Sequence, residues 1–169
     1  MALYGGARDI SMFRHINREL MGNIISQQCI YYKFDLGETK VNIYGEASGG
    51  KYYHPPVALN CLVERSNQSY PESDLGINFA WGITFKFLRE DLKDASVVPQ
   101  VGDIILYYNG YYEVESTNAN QYILGKNPDY PYNENPLNPG LEQFGANYSI
   151  ICNTVYIPGD KPGITKERL

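Results

Sequence analysis

Between residues 77 and 87 every second side chain is apolar: Ile77, Phe79, Trp81, Ile83, Phe85 and Phe87 alternate with Asn78, Ala80, Gly82, Thr84 and Lys86. A strand turns successive side chains to opposite faces, so this run commits one face to a core and the other to water or to small neighbours. On a helix the same positions would be scattered around the axis. The chain therefore has to build a sheet with one buried face. Residues 29–34, 41–44, 57–63, 104–108, 111–115, 122–125 and 149–157 read as further strands, each a short apolar or β-branched run bounded by turn residues. The 16 tyrosines, 16 glycines and 10 prolines agree with this, since half-buried aromatic rings and frequent turns are what a β scaffold uses.

Turn chemistry orders these strands. Asn109-Gly110 lies between two strand-like runs and predicts a tight hairpin of type I′, a turn that needs positive φ at both central residues. Gly102-Asp103 predicts the turn leading into the first strand of that hairpin, with Asp103 as an Asx turn former. By alternation, two of Tyr107, Tyr108, Tyr111 and Tyr112 should face outward. One helix is expected: Met12, Phe13, Ile16, Leu20, Met21, Ile24 and Ile25 recur at helical spacing behind Ser11 as N-cap, and such a stripe normally docks on a sheet as core. Residues 88–92 read as a single helical turn.

The 169 residues suit one domain. It divides into an N-terminal arm at 1–10, a single β-rich domain at 11–157 and a polar tail at 158–169. The expected fold is mainly β, a single β-barrel or sandwich-like domain with one N-terminal helix and long loops at 45–56, 64–76 and 127–147. Loops of this length in a compact domain tend to be functional or ordered by a partner.

Charge narrows the function. With 14 Lys+Arg against 19 Asp+Glu the net charge is -5, which excludes the usual basic nucleic-acid binder. Cys29, Cys61 and Cys152 have no CxxC spacing and read as free buried thiols in a reducing compartment. No long apolar run suggests a signal peptide or a membrane span. Only His15 and His54 are present, and no nucleophile elbow, HExxH or phosphate loop accompanies them. Glu90, Asp91 and Asp94 cluster, but near a helical turn they read as a solvated face. The expectation is a protein that is not an enzyme and carries no cofactor or metal. Tyr4, Tyr52, Tyr53, Tyr130 and Tyr132 are candidate interface residues. The loop tyrosines fit either a protein interface, where Tyr is enriched, or a platform that stacks on sugar rings.

In order and spacing several segments resemble the neck protein of T4-like contractile-tailed phages, a head-closure or head-completion component. The likeness is carried by the helix running into Cys29-Ile30-Tyr31-Tyr32, by Ile43-Tyr44-Gly45-Glu46, by the alternating run from Gly76 to Phe85, by Pro99-Gln100-Val101-Gly102-Asp103-Ile104-Ile105 continuing to Tyr112-Glu113-Val114, and by Tyr122-Ile123-Leu124-Gly125. It spans roughly residues 20–125. What the resemblance implies is a virion protein, assembled in the host cytoplasm, that forms a ring, a hexamer, at the head-to-tail junction. Its partners would be further copies of itself, the portal with its adaptor on the head side and the tail terminator on the tail side, with genomic DNA passing through the lumen unbound. A tail-terminator protein of the same connector, or a carbohydrate-binding β module of a tail or fibre, are the alternatives. An acidic body suits a channel that DNA must slide through without sticking, and it equally suits plain solubility. Ring contacts would be heterologous, each subunit presenting two different surfaces, with the arm at 1–10 and the long loops as expected suppliers.

Overall fold

The computed structural model describes residues 7–39, 50–65, 72–73, 76–77, 81–122 and 147–158. In chain order it contains α1 (Ala7–Glu19), a π-helical continuation (Leu20–Ile25), β1 (Gln28–Tyr32), β2 (Val57–Asn60), β3 (Leu62–Arg65), β4 (Glu72–Ser73), β5 (Gly76–Ile77), β6 (Gly82–Leu88), α2 (Arg89–Asp94), β7 (Ile104–Tyr107), β8 (Gly110–Tyr122) and β9 (Asn147–Ile157). Seven strands form one antiparallel sheet in the order β2-β1-β7-β8-β9-β6-β3, and β4 pairs with β5 in a separate two-stranded ribbon.

The two edge strands of the seven-stranded sheet, β2 and β3, are separated in the chain by Cys61 alone. One short segment thus pairs with β1 through its first half and with β6 through its second. That is possible only if the sheet bends over on itself, with the strand that changes partners making the corner. The Cys61 amide still donates to the carbonyl of Gln27 at 2.9 Å, which holds the corner to the start of β1. The ladder is not closed into a barrel, and the fold is mainly β and sandwich-like.

Inside the fold lies one core. Register places Tyr31 opposite Ile105, Ile105 opposite Tyr112, and Val63 opposite Phe85, which in turn faces Cys152. On β6 the expected alternation appears: Ile83, Phe85 and Phe87 are buried, while Gly82, Thr84 and Lys86 are half-buried. Residues 78–80 of that run lie outside the described residues. The Phe85 ring meets Tyr107 at 5.6 Å and Tyr112 at 5.9 Å edge-on, and Phe87 meets Tyr31 at 6.1 Å. These are favourable aromatic geometries beyond simple burial. All three cysteines are free and buried in this core.

The structure corrects several expectations. The helix begins at Ala7, so residues 7–10 are helical rather than part of an extended arm, and Ser11 sits inside the helix instead of capping it. Residues 1–6, with Tyr4, lie outside the described residues, as do the strand expected at 41–44 and Tyr130 and Tyr132. Tyr122 ends the thirteen-residue β8 rather than starting a new strand, because the polar run after Glu115 continues the ladder with β9 across register shifts at Val114/Ser116 and beyond.

The hairpin forms one residue earlier than expected. Tyr107 pairs with Gly110, so the two loop residues are Tyr108 and Asn109, and positive φ occurs at Tyr108 (51°) but not at Asn109 or Gly110. This is the φ pattern of a type II′ turn, not type I′. A Cβ at 110 would lie 3.0 Å from the Tyr112 ring, tighter than ordinary contact, so the ring would have to give way. Consequently Gly110→Ala should cost about 1–3 kcal/mol in thermal unfolding, as overpacking does. In a Tyr112→Leu background most of that penalty should vanish, and a penalty that stays whole would restore backbone conformation as the cause. The tyrosines around this turn are also more buried than alternation predicts: Tyr107, Tyr111 and Tyr112 are all buried, and only Tyr108 faces solvent. β7 and β8 are covered on both faces here, with Ile104 and Ile105 equally buried.

Candidate assembly surface

Helix α1 is docked the wrong way round for an amphipathic helix. Among its described side chains Arg14 and Asn17 are half-buried, and with Arg18 and Met21 they form one stripe at helical spacing. Arg14 Nη1 pairs with Glu90 Oε1 at 3.2 Å, and Arg18 reaches Asp91 Oδ1 at 2.9 Å and Asp94 Oδ2 at 2.5 Å. All three carboxylates belong to α2. The helix is therefore fastened to the body by its polar side, and among the apolar side chains described on it and its π-helical continuation only Met21 is buried. Burial pushes the Asp91 carboxyl up from its usual range while the Arg18 charge pulls it down, so the pair is partly desolvated.

The apolar stripe points away from the body. Met12, Phe13, Ile16, Leu20, Ile24 and Ile25 are between 40% and 74% exposed. The expectation that this stripe is core is overturned, because ion pairs to α2 have taken the inward side. The π-helical turn ends at Ser26, whose left-handed backbone (φ 47°) lets its amide donate to the Met21 carbonyl at 2.9 Å. Together the six side chains leave on the order of 500 Å² of apolar surface in water, at the upper end of what a monomer carries and more than half of the ~800 Å² per partner in a standard interface.

A second group of exposed apolar side chains surrounds Asp103, at the other end of β1 from the π-helical turn. The turn Gln100–Asp103 has Gly102 at its third position with φ 92°, the left-handed value of a type II turn, so the expected turn at Gly102-Asp103 is present. Asp103 does more than shape it. Its fully buried carboxylate accepts from the Tyr31 hydroxyl at 2.5 Å, Lys33 Nζ at 3.1 Å, the Phe34 amide at 2.8 Å and the Gln100 amide at 2.7 Å. Lys33 Nζ also donates to the Val98 carbonyl at 2.9 Å. Burial first, and then the Asp103 carboxylate, push the Tyr31 hydroxyl far up from its ordinary value. This network ties the 98–103 turn to residues 33–34, and exposed Leu36, Tyr52, Val98 and Val101 are carried on the segments it holds.

The remaining candidates separate. Tyr52 is exposed. Tyr53 is turned in: its ring meets Phe34 at 5.9 Å and its hydroxyl is buried, which pushes it up to about 12, with Glu113 and Asp103 adding to the shift. A flat Tyr52–Tyr53 platform is thus not formed. His54 lies 3.5 Å from Asp35, on the same loop pairing that joins Phe34 to Tyr53. Asn109 and Gly110 occupy the hairpin tip described above. Among the described residues no group of three His, Cys, Asp or Glu side chains converges to hold a metal ion, and no helix is long and apolar enough to cross a membrane.

Reading the chain alone missed Arg14, Arg18 and Lys33. The signal for the first two was present in their i, i+4 spacing opposite the apolar stripe, but their partners lie more than 70 residues away. Compared with protein-family models and with curated proteins, the chain gives no match.

Proposed function

We propose that the chain is a structural subunit, not an enzyme, of the phage neck: a ring, hexameric, that closes the head after DNA packaging and joins it to the tail. The observation that supports a self-assembling role most strongly is the outward apolar face of α1 and its π-helical continuation. A helix fastened through arginines, with its apolar stripe in water, is arranged for a protein partner rather than for its own core. Of the clustered acidic groups, Glu90, Asp91 through Oδ1 and Asp94 hold arginines, and Asp103 accepts from four donors. The neck placement itself, with the portal and adaptor on one side, the tail terminator on the other and DNA in the lumen, rests on the sequence resemblance. In that setting the net charge of -5 keeps phosphates from sticking.

Light scattering and negative-stain images of the protein, alone and with neighbouring connector proteins, test this reading. Ring particles or ring-forming co-assembly are expected. A stable monomer in every mixture, retained on a glycan column, would sink it in favour of the sugar-binding alternative.

A further inference from the structure

We propose that the outward apolar stripe of α1 and its π-helical turn packs onto the Asp103 corner of a second copy, against Leu36, Tyr52, Val98 and Val101. The inference deepens the ring reading above and rests on it. Its occupant is a copy of this chain, and two observations lead there. First, the area fits: the stripe offers on the order of 500 Å² of apolar surface, and with its polar rim it approaches the ~800 Å² that each partner contributes to a stable interface. Second, the corner is the complementary surface the fold supplies. Among the described residues the large exposed apolar side chains are those of the helix stripe, the corner, Tyr108 at the hairpin tip, and Val155 and Tyr156 on β9. Val155 and Tyr156 are the least exposed of these, with Tyr156 packed on Trp81 and Tyr112, and Tyr108 is a single side chain at the hairpin tip, which leaves the corner as the second group.

The corner is also rigid. Lys33, Phe34, Tyr31 and Gln100 converge on the buried Asp103 carboxylate, so Val98 and Val101 sit on a turn that is held before any partner arrives. Preorganisation of this kind lowers the ordering cost of association. A stripe on one element meeting a corner on another is a heterologous contact. Such a contact repeats from copy to copy and closes into a ring when the rotation allows.

The test uses two variants of the full chain, Ile16→Glu and Val101→Glu, each placing a carboxylate at a solvent-exposed position that the fold tolerates. A circular dichroism spectrum matching that of the wild type verifies folding. Wild-type protein should grow in mass beyond the dimer as its concentration rises, whereas each variant alone should associate at least a hundredfold more weakly. Mixing the two should restore a one-to-one heterodimer and nothing larger, because one copy keeps its stripe and the other its corner. Dimers of Val101→Glu alone would mean stripe-to-stripe pairing and would overturn the proposal, as would a mixture that stays monomeric. If wild type forms rings and both variants still do, this contact is wrong and the ring reading stands. If wild type is monomeric at every concentration, the self-contact falls, and co-assembly with neighbouring connector proteins decides the ring reading separately.

Discussion

Asp103→Ala is expected to cost about 3–5 kcal/mol of folding stability, the loss typical of breaking a buried charge pair from one side. The carboxylate it removes is fully buried and accepts from four donors, the Tyr31 hydroxyl, the Lys33 ammonium and the Phe34 and Gln100 amides. Without it the Tyr31 hydroxyl is left buried and unpaired, at a penalty of about 1–3 kcal/mol, and the part-buried Phe34 and Gln100 amides lose their acceptor. Asp103→Asn should fall between, since its single carbonyl oxygen can serve only some of these donors and its NH₂ group meets the rest as donor against donor. Lys33→Met should cost about 3 kcal/mol, the lower end for breaking a buried charge pair, because the fully buried carboxylate loses its countercharge while keeping three hydrogen-bond donors. Urea unfolding with a common m-value gives the comparison. An Asp103→Ala protein within 1 kcal/mol of wild type would remove Asp103 as the keystone of the corner. The same variant bears on assembly, since the segments that carry Val98 and Val101 would lose their anchor.

The second large effect is an alkaline collapse. Tyr31, Cys29 and Cys152 are sealed in the core, and burial holds the proton on each. Tyr31 is pushed well above the ordinary tyrosine range by burial and by Asp103. Cys29 is pushed far up by the hydrogen bond with Cys61 and by burial, and Cys152 is pushed up to about 12 by burial. In the unfolded chain these thiols ionise near 8.5 and the phenol near 10. Above those values the unfolded state has lost protons that the native state retains, so stability is fully present below about pH 8.5 and declines as the pH rises. Each retained proton removes about 1.4 kcal/mol per pH unit, and three together roughly 4 kcal/mol per unit above pH 10. For a domain stable by about 5–15 kcal/mol, cooperative unfolding should arrive before pH 13. Tyrosinate absorbance followed against circular dichroism should show the ionisation of buried Tyr31 as a steep step coincident with loss of β signal. A single smooth titration of all 16 tyrosines with the β spectrum intact would contradict the buried network.

The pieces of the fold that were legible in the chain are those encoded by near neighbours. The alternation at Ile83, Phe85 and Phe87, the hairpin around residue 109, the helical turn after Leu88 and the closing strand ending at Ile157 all appear where sequence periodicity and turn residues place them. Period and turn propensity are local properties, set by the covalent geometry of a few residues. Errors of one residue occurred where two local rules competed. At the hairpin the Asn-Gly turn preference lost to the register that pairs Tyr107 with Gly110.

Local residue pattern suffices for a β-rich domain with an N-terminal helix and its strands in order. Which way that helix faces and what Asp103 is for depend on contacts between distant segments. A helical pattern states that two faces differ and leaves open which one meets the body. Here Glu90, Asp91 and Asp94, brought next to Arg14 and Arg18 by the path of β6, settle that choice in favour of the polar side. Asp103 likewise reads as a turn residue in the chain and becomes a buried charge only because Tyr31 on β1 and Lys33 just after it arrive from about 70 residues away. Both outcomes depend on electrostatic partners distant in sequence, which no local pattern contains, and both lie on the surfaces proposed to join one copy to the next.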